Sequence, residues 1–267
     1  MNNVAYESFI GAGETEPDRD AKLYRYLSTD AFLSLLGLKK IWLRQVTKWD
    51  DAREGMRQEF KKVQYPDHEF SDKSLDEYFG SCWSLQDDDP RLYSTDEERI
   101  IANKEIAEFG SDAMWRAYCP SGGVRIRTTQ DKLKALFLGG LPNGKLFGGR
   151  VHYDAFGSDW GKTFRSPYLA GLFHKHIPFR TESEYRFIFT PDEKIIDAHV
   201  GAMIEDKFDF IDEVLVSPAT KDLKYRSHAL VRLALGSIKM ERGKINWKDG
   251  QQFCRISQLY DPIGFSI

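Results

Sequence analysis

A chain of 267 residues, 41% hydrophobic and 13% aromatic, has apolar surface enough to build one generous domain or two small ones, which excludes a disordered protein. Thirty-eight basic against 41 acidic side chains give a net charge of −3, so nothing advertises long-range attraction to nucleic acid or an anionic membrane, and nucleic acid keeps only a local patch as its route. Three cysteines, Cys82, Cys119 and Cys254, odd in number and without a CxxC pair, argue against a disulfide framework or a zinc knuckle and fit a reducing cytoplasm.

The N-terminal stretch lacks a basic start followed by an apolar core, and no run approaches the ~18 apolar residues a membrane helix needs. Residues 1–22 are expected as a flexible arm, and 23–267 as a single domain with a polar helical insertion around 48–80. "KLYRYLSTDAFLSLLGLKKIWL" predicts a strand over 23–27, a helix capped by Ser28 or Thr29 and closed at Gly37, and a strand over 41–44. Residues 48–64 are read as a polar helix or lid flanked by Trp42 and Trp49, and 79–86 as a short strand. Ser94 followed by Glu97 reads as a capping box opening a helix to about Gly110, then a helical turn "DAMWRAYC" and an alternating strand over 122–128. A helix near 130–138, a Gly-rich turn and a strand through Val151 and Tyr153 follow. "GKTFRSPYLAGLFHKHI" predicts a helix broken early by Pro167. After it come the strand of "TESEYRFIF", strands in "KIIDAHV" and "DEVLVSP", an amphipathic helix over 224–240 and a last strand "QFCRISQL". Short strands among helices of varied length, without a regular βαβ period, predict an α+β fold with mixed or mainly antiparallel sheets.

The stretch "TESEYRFIF" carries the chemistry. On a strand, Tyr185, Phe187 and Phe189 share one face, and Glu182, Glu184, Arg186 and Ile188 the other. The isoleucine ending the charged row suggests that this face too is covered, and buried charges must be paired. The row is therefore either a structural ion-pair ladder, with Lys175, Arg180 and Arg186 neutralising the carboxylates, or part of a site. In a site, two carboxylates on one face repel, and one is pushed toward a pKa useful to a general base.

Arg25 sits between Leu23 and Leu27 on one strand face and needs an anion, either a core glutamate such as Glu54 or Glu184, or a ligand phosphate. Ser84 shares a face with Cys82, as a small polar filler or as a ligand-orienting hydroxyl. His174 and His176 form an HxH, but no third or fourth ligand follows by spacing, and no metal is expected. Neither GxSxG, HExxH, GxxxxGK[ST] nor a dinucleotide fingerprint occurs.

"LYRYLS", "WDDAREG", "CWSL", "MWRAYCPSGGVRI", "FHKHIPFRTESEYRFIF" and "DEVLVSP", in this order over residues 23–240, resemble the bacterial family termed domain of unknown function 2971. The most specific elements are Trp115, Tyr118, Gly123, Val124 and Ile126, and Lys175, Glu182, Glu184 and Arg186. Where members commonly show Asn-Asp-Pro-x-Glu, this chain has Asp50-Asp51-Ala52-Arg53-Glu54, keeping the acids and losing the proline.

More distantly, the order Arg25, Ser84, Glu182/Glu184 is similar to that of ADP-ribosyltransferases of the Arg-Ser-Glu type. That resemblance implies a split-sandwich fold and NAD as a substrate, with no tightly bound cofactor. Arg25 would hold the phosphates and Ser84 would orient the nicotinamide riboside. Glu184 would stabilise the oxocarbenium-like transition state, and Glu182 would activate a protein or other acceptor. Tyr26, Trp115 and Tyr118 would stack on a flat ring, with Lys175 and Arg186 completing a polar cleft. Two other classes remain open at this point. One is a non-catalytic nucleotide- or partner-binding sensor in a bacterial defence system. The other is an effector on nucleic acid, which requires Arg125, Arg127, Lys175 and Arg180 on one exposed face.

Overall fold

A computed structural model describes residues 3–9, 20–49, 75–85, 94–153, 167–204, 208–218, 229–231, 254–257 and 259. Most of the stretch read as a polar helix and lid, including Asp50, Asp51 and Glu54, and most of the helix read at 224–240 lie outside them. The fold is α+β with mixed, mainly antiparallel strand pairing, as the pattern predicts. The chain divides into two compact units, the first from residues 1–19, 40–84 and 133–204, the second from 20–39, 85–132 and 205–267.

In the first unit the strand order is β1 (Val4–Phe9), β6 (Gly144–Arg150), β9 (Glu184–Pro191), β4 (Phe79–Leu85), β3 (Lys40–Gln45), β10 (His199–Met203). Among these six strands, as described, β1–β6 pair in parallel and the other neighbours antiparallel. The expected arm thus contains a strand. Residues 4–9 alternate, and Phe9 is buried, its ring stacked on Phe173 at 4.2 Å. Every residue of β9 is buried, because β6 and β4 pair with its two edges and both of its faces are covered. Phe187 meets Phe137 of α4 (Gln130–Gly140) on one face. On the other, Ile188 joins Phe9, Val46, Phe147, Leu172 and Phe173 in one apolar cluster.

The second unit orders β2 (Lys22–Ser28), β5 (Gly123–Thr129), β11 (Glu213–Val216) and β12 (Cys254–Ile256), antiparallel but for the last pair. Helix α1 (Thr29–Leu38) starts where predicted, the Ser28 hydroxyl accepting from the Ala31 amide at 3.2 Å, but runs past Gly37 and ends at Lys39 in the left-handed region, φ 52°. Helix α2 (Asp96–Phe109) shifts the capping box by one residue. Thr95 accepts from the Glu98 amide at 3.1 Å, and Glu98 accepts from the Ser94 amide at 2.9 Å. Beneath α3 (Asp112–Tyr118), Trp115 and Met114 pack with Tyr24, Tyr26, Cys119 and Leu215.

The stretch before β9 departs most from the sequence expectation. Helix α5 (Pro167–Leu172) is described from Pro167 onward, and the residues before it, where the sequence reading placed a helix broken at that proline, lie outside the described residues. The chain then forms β8 (His174–Lys175), parallel to β7 (His152–Tyr153), and a 3₁₀ turn over Ile177–Glu182. Ser183, at φ 42°, turns the chain into β9, so Glu182 precedes the strand that begins at Glu184.

Candidate functional site

The charged row is a buried network in the first unit. Arg186, 1% exposed, donates from Nε to Glu184 Oε2 at 2.7 Å, and its Nη2 lies 2.6 Å from the same oxygen. Its Nη1 donates to the Leu172 carbonyl at 2.5 Å, where α5 ends. Lys175 Nζ donates to Glu182 Oε2 at 2.8 Å and to Glu184 Oε1 at 3.3 Å. The two glutamates therefore meet through one ammonium, although they are not on one strand face. Tyr153 fixes the strand entry, its hydroxyl accepting from the Glu184 amide at 2.8 Å.

Aromatic rings seal both cations. The Arg186 guanidinium lies 4.7 Å from the Trp49 ring centroid, and Lys175 Nζ lies 4.7 Å from that of Phe179. Gly80 makes room for this, since a Cβ there would overlap the Trp49 ring.

The carboxyls are driven apart electrostatically. Burial pushes Glu182 up, to about 7, assisted by the neighbouring Glu184 and opposed by Lys175. Burial works the same way on Glu184, but Arg186 and then Lys175 outweigh it and hold that carboxyl well below its ordinary value. Glu184 is thus a fixed anion, and Glu182 a carboxyl able to take or give a proton near neutrality. Burial also raises the Tyr153 hydroxyl far above its ordinary range, which keeps it a neutral hydrogen-bonding group.

Ser84 stands opposite Glu184 in the β4–β9 register, so the two share a sheet face, and Ser84 is partly buried. Arg25 is on β2 in the second unit, partly buried and opposite Ile126. Tyr26 and Trp115 are core residues of that unit, edge to face at 4.8 Å, with the Tyr26 hydroxyl accepting from the Ser111 amide at 2.9 Å and the indole donating to the Phe109 carbonyl at 3.0 Å. Tyr118 is 44% exposed.

Sequence reasoning named Arg125 only as a cation of an exposed nucleic-acid face, whereas it is fully buried in the second unit. It donates to the Ile106 and Ala107 carbonyls at 2.5 and 2.6 Å, capping α2, lies 4.5 Å from the Tyr24 ring centroid, and is 3.6 Å from Glu213. Arg127 pairs with the other oxygen of Glu213 at 2.8 Å. The register brings Glu213 onto the strand face of Arg125 and Arg127, directly opposite Arg127. The exposed four-cation face demanded by a nucleic-acid effector therefore does not form, since Arg125 and Lys175 are both buried.

Cys119 is inert, burial pushing its thiol up to about 12 while it donates to the Leu27 carbonyl at 3.3 Å. His174 is buried with its ring 5.5 Å from His152, its partner across β7–β8, while His176 precedes the 3₁₀ turn, so the HxH does not act as a pair. Among the described residues, no cluster of three or more His, Cys, Asp and Glu side chains could hold a metal ion. Nor does any described helix have the length and apolarity to cross a membrane.

These features define an α+β protein in which a buried glutamate and a partly buried one share a lysine. No protein-family model, curated protein or solved structure matches the chain.

Proposed function

We propose that the chain is an NAD-consuming enzyme of the ADP-ribosyltransferase or glycohydrolase kind, whose working group is Glu182, with Glu184 as a permanent anion beside it. One observation carries the reading: the two carboxyls lie on one lysine yet titrate far apart, Glu182 raised to about 7 and Glu184 lowered. Carboxyl pairs separated in this way supply both charge and proton transfer in glycosidic-bond chemistry. The bond broken would join nicotinamide to ribose. Its electron pair leaves with nicotinamide, and Glu184 contributes negative charge as the ribosyl carbon becomes cationic. Water or an acceptor hydroxyl then bonds to that carbon and gives its proton to Glu182. Ser84, opposite Glu184 in register, would orient the sugar.

A second reading has its own support. Both Lys175 and Arg186 are engaged by carboxylates, and Glu184 is 7% exposed, which suits a rigid module that holds a nucleotide or partner without turning it over.

The test is nicotinamide release from NAD by the purified chain and by Glu182→Gln. Catalysis predicts release that rises through pH ~7 and falls at least ~100-fold in the folded variant. Absence of release together with a thermal shift by NAD favours the binding module, and absence of both sinks the NAD reading.

A further inference from the structure

The antiparallel pair β3–β10 carries a row of exposed side chains, on the same sheet face as Arg186 and Glu184 but on other strands, that the carboxylate network does not engage. Ile41, Leu43, Val200 and Ala202 point inward and are buried. Outward come Lys40, Trp42 and Arg44 from β3, opposite Met203, Gly201 and His199 from β10. Trp42 is 38% exposed and Met203 48%, both large apolar groups left on a water-facing strip.

Gly201 explains how the indole is held there. A Cβ at that position would stand 3.1 Å from Trp42 Cζ3 and 2.9 Å from Lys40 Cδ, closer than their present packing permits. Without one, the six-membered ring of Trp42 settles against the β10 backbone. Lys40 Nζ lies 5.3 Å from the Trp42 ring centroid, and the His199 ring meets the indole edge on at 6.3 Å. The aromatic is thus fixed before any ligand arrives, which lowers the ordering cost of binding.

We propose that this face binds single-stranded nucleic acid, one base stacking beside Trp42 while Lys40, Arg44 and His199 take the flanking phosphates. Charge complementarity selects that occupant. The outward positions of β3 and β10 carry Lys40, Arg44 and His199 and no acidic residue, with Asp197 and Glu205 flanking the β10 row in sequence. Spacing agrees, because alternate residues of a strand stand ~6.7 Å apart, close to the repeat of an extended polynucleotide. The chain's net charge of −3 does not oppose a local patch of this kind, and the cations buried elsewhere take no part in it.

The experiment is fluorescence anisotropy of a labelled oligothymidylate of about eight nucleotides, long enough to cover one such platform. Folded wild type should bind it at low salt and lose affinity roughly tenfold from 50 to 200 mM salt, as two or three phosphate contacts require. Trp42→Ala should weaken binding about tenfold. Gly201→Val, which dislodges the ring while keeping it, should do the same, with circular dichroism showing each variant folded. Lys40→Ala should mainly reduce the salt dependence. No binding by wild type overturns the proposal, as does binding indifferent to both Trp42→Ala and Gly201→Val. Equal competition by a polyglutamate peptide of similar length would also overturn it, making the face a site for acidic peptides.

Discussion

Glu182 ties the network to pH. Folded, it keeps its proton up to about 7, whereas the unfolded carboxyl gives it up near 4.5. Between those values the folded state binds more protons, so its contribution makes stability fall as pH rises from 4.5 to 7 and level off above. Glu184 has the opposite sign, its lowered pKa withdrawing stability as pH drops below 4.5. Urea denaturation at several pH values should show that Glu182→Gln removes a decline of on the order of 1–2 kcal/mol between about pH 5 and 7.5, once screening is allowed for. A variant with the wild-type slope would place Glu182 in ordinary solvent. At this scale the sequence was legible in part. Ser84 and Glu184 do come together, and the terminal isoleucine did signal a covered face. The division of labour between the glutamates was not legible, because it depends on Ser183 turning left-handed and on Lys175 arriving from β8.

Local pattern located elements wherever local rules decide them. Ser28 caps α1, "GGVRIRT" is a strand, and the capping box moved only by one residue. It failed where the partner is remote. β1 is stabilised by pairing with β6, far along the chain, and six alternating residues do not announce a distant parallel partner. Elements also meet at Gly80, where β4 lets Trp49 reach Arg186. Gly80→Ala should displace the indole, costing ~1–3 kcal/mol by overpacking and altering near-ultraviolet circular dichroism. An unchanged spectrum and midpoint would show that the ring has room to yield.

At the scale of the whole molecule, neither unit is a continuous piece of chain. Each is assembled from three separated segments. The first unit has all its segments by Ile204, while the second still lacks β11 and Glu213. A fragment ending at residue 212 should therefore keep hydrogen-exchange protection in β9 and lose it in β5, where Arg125 and Arg127 would have no carboxylate. Protection of β5 in that fragment would mean that β2 pairing alone holds it.

The late arrival of Glu213 also has a meaning during synthesis. At ~5–20 residues per second, a ribosome needs on the order of one second to carry the chain from Ile204 through Val216. For that interval β5 presents one open edge and two cations awaiting their carboxylate, a nascent species well suited to a holding chaperone.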